Sequence, residues 1–418
     1  MYFLRTFFIV ATLMSCTSRV HHRPSTSASF KATPQQSARN CALYRNVVDA
    51  AHLTGNKLLA ELSSEGQFRY RFYLDRSKAD SSRYNLLRHA GAVYALHQYH
   101  SMFPDNRIPV AVCNAASFLK QYTHAIPSGS ALAIWTPTVY RHDGREVAKL
   151  GGTGLGIIAA VVCEPAPGEG AFSRDELTNL GAFIEYMQNS DGSFHSRFWI
   201  DTASRDDSWI SLYYPGEAAL GLLYLHDATH EIRWANAAKR ALLHLAESRK
   251  DKQDIPHDHW ALIATAKILS TSTSHLLSRD EAQRLITHAV QVSRAILQTQ
   301  VIFPGSVIDG AFDEWGRTTP AATRLEGLVA AYGILPDSYT ALKADIYSSV
   351  ERGMRFLLNA QITDGPHAGA IPRAVKRMPG DSEDARRFNQ RVREVRIDYM
   401  QHALSAMIGY AKMKRDCP

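Results

Sequence analysis

Five short clusters carry most of the residues in this chain suited to acid–base or binding chemistry. They are 84–89 (Arg88, His89), 214–217 (Tyr214, Glu217), 257–260 (His257, Asp258, His259, Trp260), 324–326 (Arg324, Glu326) and 398–402 (Asp398, Tyr399, His402). Each lies at or near the start of an apolar stretch. Glu217 follows Tyr213, Tyr214, Pro215 and Gly216. Its carboxyl is either a partner for a helix dipole or an acid/base group whose pKa apolar neighbours raise. Glu326 stands inside a second apolar run, between Leu325 and Gly327, where a carboxylate needs a partner or a task. Asp258 can cap a helix, His259 can serve as general acid or base, and Trp260 offers a flat ring for stacking.

Arg88 and His89 enter a small-residue helix, which suggests pairing to a carboxylate of protein or ligand. Asp398, Tyr399 and His402 open the last apolar run behind a basic loop holding Arg391, Arg393 and Arg396. Asp398 either caps that helix or joins the site. The segment 308–315 adds Asp309, Asp313, Glu314 and Trp315 on a loop. Carboxylates there can bind hydroxyl groups and the indole can stack on a ring. His257, His259 and His402 could ligate a metal, but a His-x-His pair offers two ligands only on a strand or loop, so no metal or other cofactor is expected.

Other motifs are negative. Gly151, Gly152, Gly154 and Gly156 lack the spacing, preceding strand and βαβ context of a nucleotide loop and suit close helix packing. The sequence has no Gly-x-Ser-x-Gly elbow and no His-Glu-x-x-His.

The elements that must position these clusters are helical. Periodicity predicts twelve helices, near 40–62, 81–103, 107–124, 153–163, 174–189, 215–227, 231–248, 257–272, 278–300, 319–334, 338–361 and 398–414. Two kinds alternate. One is apolar and small-residue-rich all round and must be enclosed; the other is amphipathic and belongs outside. Ser173 and Ser278, each followed three residues later by Glu, predict capping boxes. An acidic residue before glycine recurs after the outer helices, at Glu65-Gly66, Asp191-Gly192 and Asp364-Gly365, a weak repeat whose glycine supplies a turn with φ > 0.

Gln188-Asn-Ser-Asp-Gly-Ser-Phe194 resembles the Q-x-x-D-G-S-[FW] turn of six-hairpin glycosidases and terpenoid-cyclase-like toroids. The alternation over 40–414 resembles their all-α (α/α)6 barrel, six helical hairpins with short β segments in the connecting loops. Asp206-Asp207 does not reproduce the acidic motif that protonates terpenoid precursors. Closing such a ring pairs helix 40–62 with helix 398–414 and brings Cys41 beside Cys417; it also moves Cys113 towards Cys163. All the clusters then share one rim, where the helix N-termini favour anions. The resemblance implies a glycoside hydrolase or polysaccharide lyase acting on a neutral or uronate-containing saccharide. Hydrolysis needs two carboxylates, for which Glu217, Glu326, Asp309 and Asp313 are candidates, with Asp258 and His259 beside them. A lyase or uronate epimerase would instead use Arg88, His89, His259 and Tyr399. Tyr214, His257, Trp260, Trp315, Arg324, Asp398 and His402 complete the expected binding set. A non-catalytic glycan-binding or capsule-assembly protein would share the cavity but lack groups at reacting distance.

The amino terminus reads differently. Residues 1–15 carry Arg5, an apolar run and Leu13-Met-Ser-Cys16, which resembles a bacterial lipobox. That implies cleavage before Cys16, lipidation of Cys16, export and, with Thr17 following, the periplasmic face of an outer membrane. Residues 16–39 read as a flexible tether and 40–418 as the toroid domain. The net charge of +7 is compatible with an anionic glycan or a membrane surface; no nucleic-acid motif appears.

Overall fold

The computed structural model describes residues 34–75, 83–127, 129–141, 143–163, 171–270 and 273–414. Residues 1–33, with Cys16 and the signal-like stretch, lie outside the described residues, as does Cys417. From Asn40 onward the chain packs as one unit.

Six helices form the inner ring: α2 (Leu86–Met102), α4 (Leu150–Val161), α6 (Tyr214–Thr229), α8 (His259–Ile268), α10 (Thr318–Ile334) and α13 (Ile397–Met413). Six lie between them on the outside: α1 (Pro34–Ala60), α3 (Arg107–Lys120), α5 (Arg174–Tyr186), α7 (Ile232–Arg249), α9 (Arg279–Leu297) and α11 (Thr340–Ala360). Each inner helix packs on the next, and α13 returns to α2, so the ring closes. The fold is the expected (α/α)6 barrel.

Sequence chemistry explains the sorting. Leu150 to Ala160 is buried at every position of α4, as only a helix with neighbours on all sides can be. Glycines on α4 and α6 let the two helices approach closely. A Cβ on Gly154 would stand 2.7 Å from the Ala218 Cα, and one on Gly221 2.2 Å from the Gly154 carbonyl oxygen. By contrast α9 buries one face only. Both expected capping boxes are present, at Ser173 with Glu176 and Ser278 with Glu281.

The acidic–glycine turns form a structural repeat. Gly66, Gly192, Gly310 and Gly365 all have positive φ. Next to two of these turns, a glutamine carboxamide donates to a carbonyl of the following outer helix: Gln188 to Ala237 and Gln300 to Ser349, each at 2.9 Å. Gln361 does the same to Ala50 at 2.8 Å and to the Thr54 hydroxyl at 2.7 Å. That last contact joins the end of α11 to α1.

Two small sheets lie in the rim loops. β1 (Arg71–Tyr73) pairs antiparallel with β7 (Glu394–Arg396), Phe72 opposite Val395. A second antiparallel sheet runs in chain order through β2 (Thr123–Ala125), β3 (Leu132–Thr136), β4 (Val147–Lys149), β5 (Arg197–Trp199) and β6 (Ser204–Arg205).

Two details depart from the sequence reading. Helix α1 begins at Pro34, inside the stretch expected to be a tether; proline is well suited to a first helical turn, where its missing N–H is no loss. A short additional helix, α12 (Glu383–Asn389), is capped by Ser382. Cys113 and Cys163 form a disulfide across 4.7 Å between Cα atoms. Cys41 is also disulfide-bonded.

Gly369 tests the closure. Its φ is +86°, and a Cβ there would stand 2.0 Å from the Leu53 carbonyl oxygen on α1. Gly369→Ala should lower unfolding stability by about 2–4 kcal/mol through backbone strain and the clash, read as a lower urea midpoint. An unchanged midpoint would mean that the seam between α11 and α1 does not hold the ring as described.

Candidate functional site

The first turns of the inner helices, with the loop that leads into α13, enclose a cavity of about 600 Å³. Nine of the expected residues line it: Arg88, Tyr214, Glu217, His259, Trp260, Arg324, Asp398, Tyr399 and His402. Its walls are strongly cationic. Arg88, Arg317, Arg324, Arg373, Arg391 and Arg396 face two lining carboxyl groups, Glu217 and Asp398.

Buried carboxylates organise these arginines. Asp398 receives Arg88 Nε at 3.1 Å and Arg396 Nε at 2.5 Å. Burial alone would raise its pKa, but the two guanidinium charges win and hold it at about 2. Glu394 is fully buried and accepts from Arg391 at 2.8 and 2.9 Å, from Tyr399 at 2.8 Å and from Arg71 at 3.3 Å. Burial raises this carboxyl too, yet the bonds from Arg391 and Tyr399 keep it below the usual range. The β1–β7 pair carries both Arg71 and Glu394, so the sheet fixes the hub.

Glu217 is the opposite case. It is 3% exposed, and its Oε2 has no hydrogen-bond partner among the described residues. Burial, with the Asp258 charge adding to it, pushes its pKa to about 8. It is therefore a neutral acid through most of the physiological range. Gly151 makes room for it: a Cβ there would stand 1.8 Å from Oε2.

On the floor, three helices bring His259 (α8), Glu326 (α10) and His402 (α13) together. His402 Nδ1 and Glu326 Oε2 are 2.6 Å apart, and His259 Nε2 is 3.8 Å from the same oxygen. Burial, with the charges of His402 and Arg324 adding to it, drives the His259 pKa well below 6.5, so that ring is neutral. Burial raises Glu326. With Nδ1 taken, His402 keeps Nε2 for the cavity. Donor atoms of the three residues lie within 4.8 Å of one another, the spacing of a divalent-metal ligand set. Metal-bound histidines normally donate their second ring N–H to an acceptor, and neither ring nitrogen of His259 has a partner among the described residues. The arginine walls further oppose a cation. An oriented acid–base dyad fits these residues better.

Other expected residues stand in structural pairs outside the cavity lining. Asp258 caps α8 through the Ala261 N–H at 3.0 Å and binds the buried Arg249 at 2.8 Å. His89 is buried between the Tyr84 hydroxyl at 2.7 Å and the Ala115 carbonyl at 2.9 Å. Asp309 holds Arg352 and the Phe303 N–H, both at 2.8 Å. Asp313 accepts from the Trp315 N–H at 2.9 Å and pairs with Arg317 at 3.2 Å. Trp315 packs on Phe388. His257 sits 3.0 Å from Arg324, just behind the wall. The cavity also takes in Tyr213, Gln401, Arg317 and Arg373, which were not among the expected site residues, and Arg391 and Arg396 of the basic loop. For Arg373, Arg391 and Arg396 the signal in the sequence is the density of arginine between 373 and 396.

No family model matches this sequence, and no curated protein matches it either. Solved structures share its fold. The cellobiose 2-epimerase from Bacillus thermoamylovorans aligns with a TM-score of 0.62 at 12% identity, over 90% of this chain and 100% of that one. An α-1,6-mannanase from Salegentibacter aligns at 0.56 and 10% identity, over 88% and 99%. A D-mannose isomerase aligns at 0.54 and 14% identity, over 92% and 100%.

Two measurements probe these assignments. Asp258→Ala leaves Arg249 buried and unpaired and removes the α8 cap; it should cost about 3–5 kcal/mol of stability, and a loss below about 1 kcal/mol would contradict the structural role. For Glu217 the folded pKa of about 8 exceeds the ordinary 4.5. The folded state thus holds a proton that the unfolded state has released, and stability falls as pH rises between those values. Glu217→Gln should flatten that fall while matching the wild type below pH 4.5; parallel curves across the window would refute the raised pKa.

Proposed function

We propose that this protein is an enzyme that moves a proton on carbon in an acidic saccharide. The observation that carries the reading is the His402–Glu326 dyad, with neutral His259 beside it, on the floor of an arginine-walled cavity. His402 Nε2 takes the proton next to the sugar carboxylate. Glu326 steadies the resulting imidazolium, and the guanidinium groups neutralise the charge that develops on the carboxylate. Return of a proton to the other face from Glu217, the neutral acid of the lining, gives an epimer. Loss of the substituent at the neighbouring carbon gives an unsaturated product. The fold's occurrence in proteins described as an epimerase and an isomerase supports this reading by analogy.

Hydrolysis is a second reading, favoured by Glu217 as a buried neutral acid. Against it, the other lining carboxylate, Asp398, is held by two arginines. We further propose export and lipid attachment at Cys16, which a Cys16→Ala variant would test by releasing the protein from the envelope fraction.

The deciding experiment incubates purified protein with neutral and uronate-containing glycans in D2O. Deuterium at carbon or absorbance from a new double bond, lost about 10²–10⁴-fold in kcat with His402→Gln, is expected. Reducing ends without either signal, abolished by Glu217→Gln, would replace the proposal with hydrolysis.

A further inference from the structure

The barrel is hollow from both ends. Below the arginine-walled cavity lies a second chamber of about 380 Å³, lined by the later turns of the inner helices α2, α10 and α13. Tyr94, Gln98, Gly333, Ser405 and Lys412 line it, and so does Glu326. His259 and His402 belong to the upper cavity instead. The three-residue cluster is therefore the partition between two chambers that open at opposite ends of the ring. Glu326 spans it. Its Oε2 faces His402 at 2.6 Å, while its buried Oε1 has no partner among the described residues. Ser405, which donates to Gln98 at 2.7 Å, is also within hydrogen-bonding reach of Glu326.

We infer that the lower chamber is a proton back door, through which Glu326 exchanges protons between the acid–base cluster and water at the far end of the barrel. This rests on the proton-transfer reading above. The physical need is specific. A substrate filling the upper cavity displaces the water there, and six guanidinium groups repel hydronium from that side. A proton taken from carbon must nevertheless leave if the product is to acquire a different one. The lower chamber is roomy and has polar partners, as a hydrated cavity requires. The steps balance. The substrate C–H proton goes to His402 Nε2 and its electron pair stays on the sugar; the Nδ1 proton passes to Glu326; the carboxyl releases a proton to chamber water. The reverse sequence reprotonates the cluster, and no oxidant or reductant enters.

Gly333 lines the chamber at an exposed position, and a Cβ added there meets nothing within 4 Å, so a bulky side chain can be placed at the chamber mouth without a clash. In D2O, the Gly333→Phe variant should incorporate solvent deuterium into product at a fraction at least threefold below the wild type, with KM unchanged. An unchanged fraction would overturn the route. A second readout needs no turnover. Ser405→Cys in the full-length protein should react with N-ethylmaleimide in the folded state, even with the upper cavity occupied by citrate, against a wild-type control. Protection until global unfolding means a closed chamber and sinks the back door whatever the enzyme does. Labelling of Ser405→Cys without deuterium in any wild-type product would instead overturn the proton chemistry itself, leaving an open chamber without this role.

Discussion

Everything in this molecule depends on a ring that closes between segments roughly three hundred residues apart. The seam is a small set of hydrogen bonds between the end of α11 and α1. Gln361 reaches the Ala50 carbonyl, and Thr54 donates to the Gly369 carbonyl at 3.0 Å. The entropy of bringing such distant segments together grows only slowly with loop length, so a modest seam suffices once each hairpin is packed on its neighbour. The seam is also no special device. The same glutamine contact recurs at Gln188 and Gln300, and closure is the repeat meeting its own beginning.

Closure decides the chemistry because the floor cluster takes one residue from each of three inner helices. His259, Glu326 and His402 are buried to 1%, 2% and 9% exposure. In an open array of the same hairpins, α13 would have no reason to face α8. Polar groups at that depth are tolerable only when satisfied or used. His402 and Glu326 satisfy each other, whereas His259 and the Glu326 Oε1 have no partner among the described residues. Unsatisfied groups beside a cavity are where a working site departs from good packing.

The walls follow a different logic. Asp398 and Glu394 are carboxylates spent on holding arginines, and their pKa values are held down accordingly. Glu217, equally buried but with its Oε2 unpartnered among the described residues, is pushed up. Three carboxyl groups in one rim are thus sorted into two anchors and one acid by their neighbours alone. The fold is shared with an epimerase, an isomerase and a mannanase at 10–14% identity, so the barrel by itself does not set the chemistry of this site.

Helix existence, order and inner or outer placement were legible in the sequence, because 3.6-residue periodicity and all-round apolarity report directly on how many sides of a helix are covered. The capping boxes and turn glycines were legible for a similarly local reason. So were Glu217, Glu326, His259 and His402 as ionisable residues stranded in apolar runs. What the sequence could not say was who pairs with whom. Asp258 and Asp309 look as catalytic on paper as Glu217 does, yet Arg249 and Arg352, each in an outer helix, occupy them. Arg373 and Arg391 sit in an irregular segment without periodicity, and β-pairing with residues near 71 brings their neighbourhood to the rim. Local patterns therefore determined the elements, while tertiary structure alone decided which charges are neutralised and which remain free to act, because burial and partner distance are properties of the closed ring.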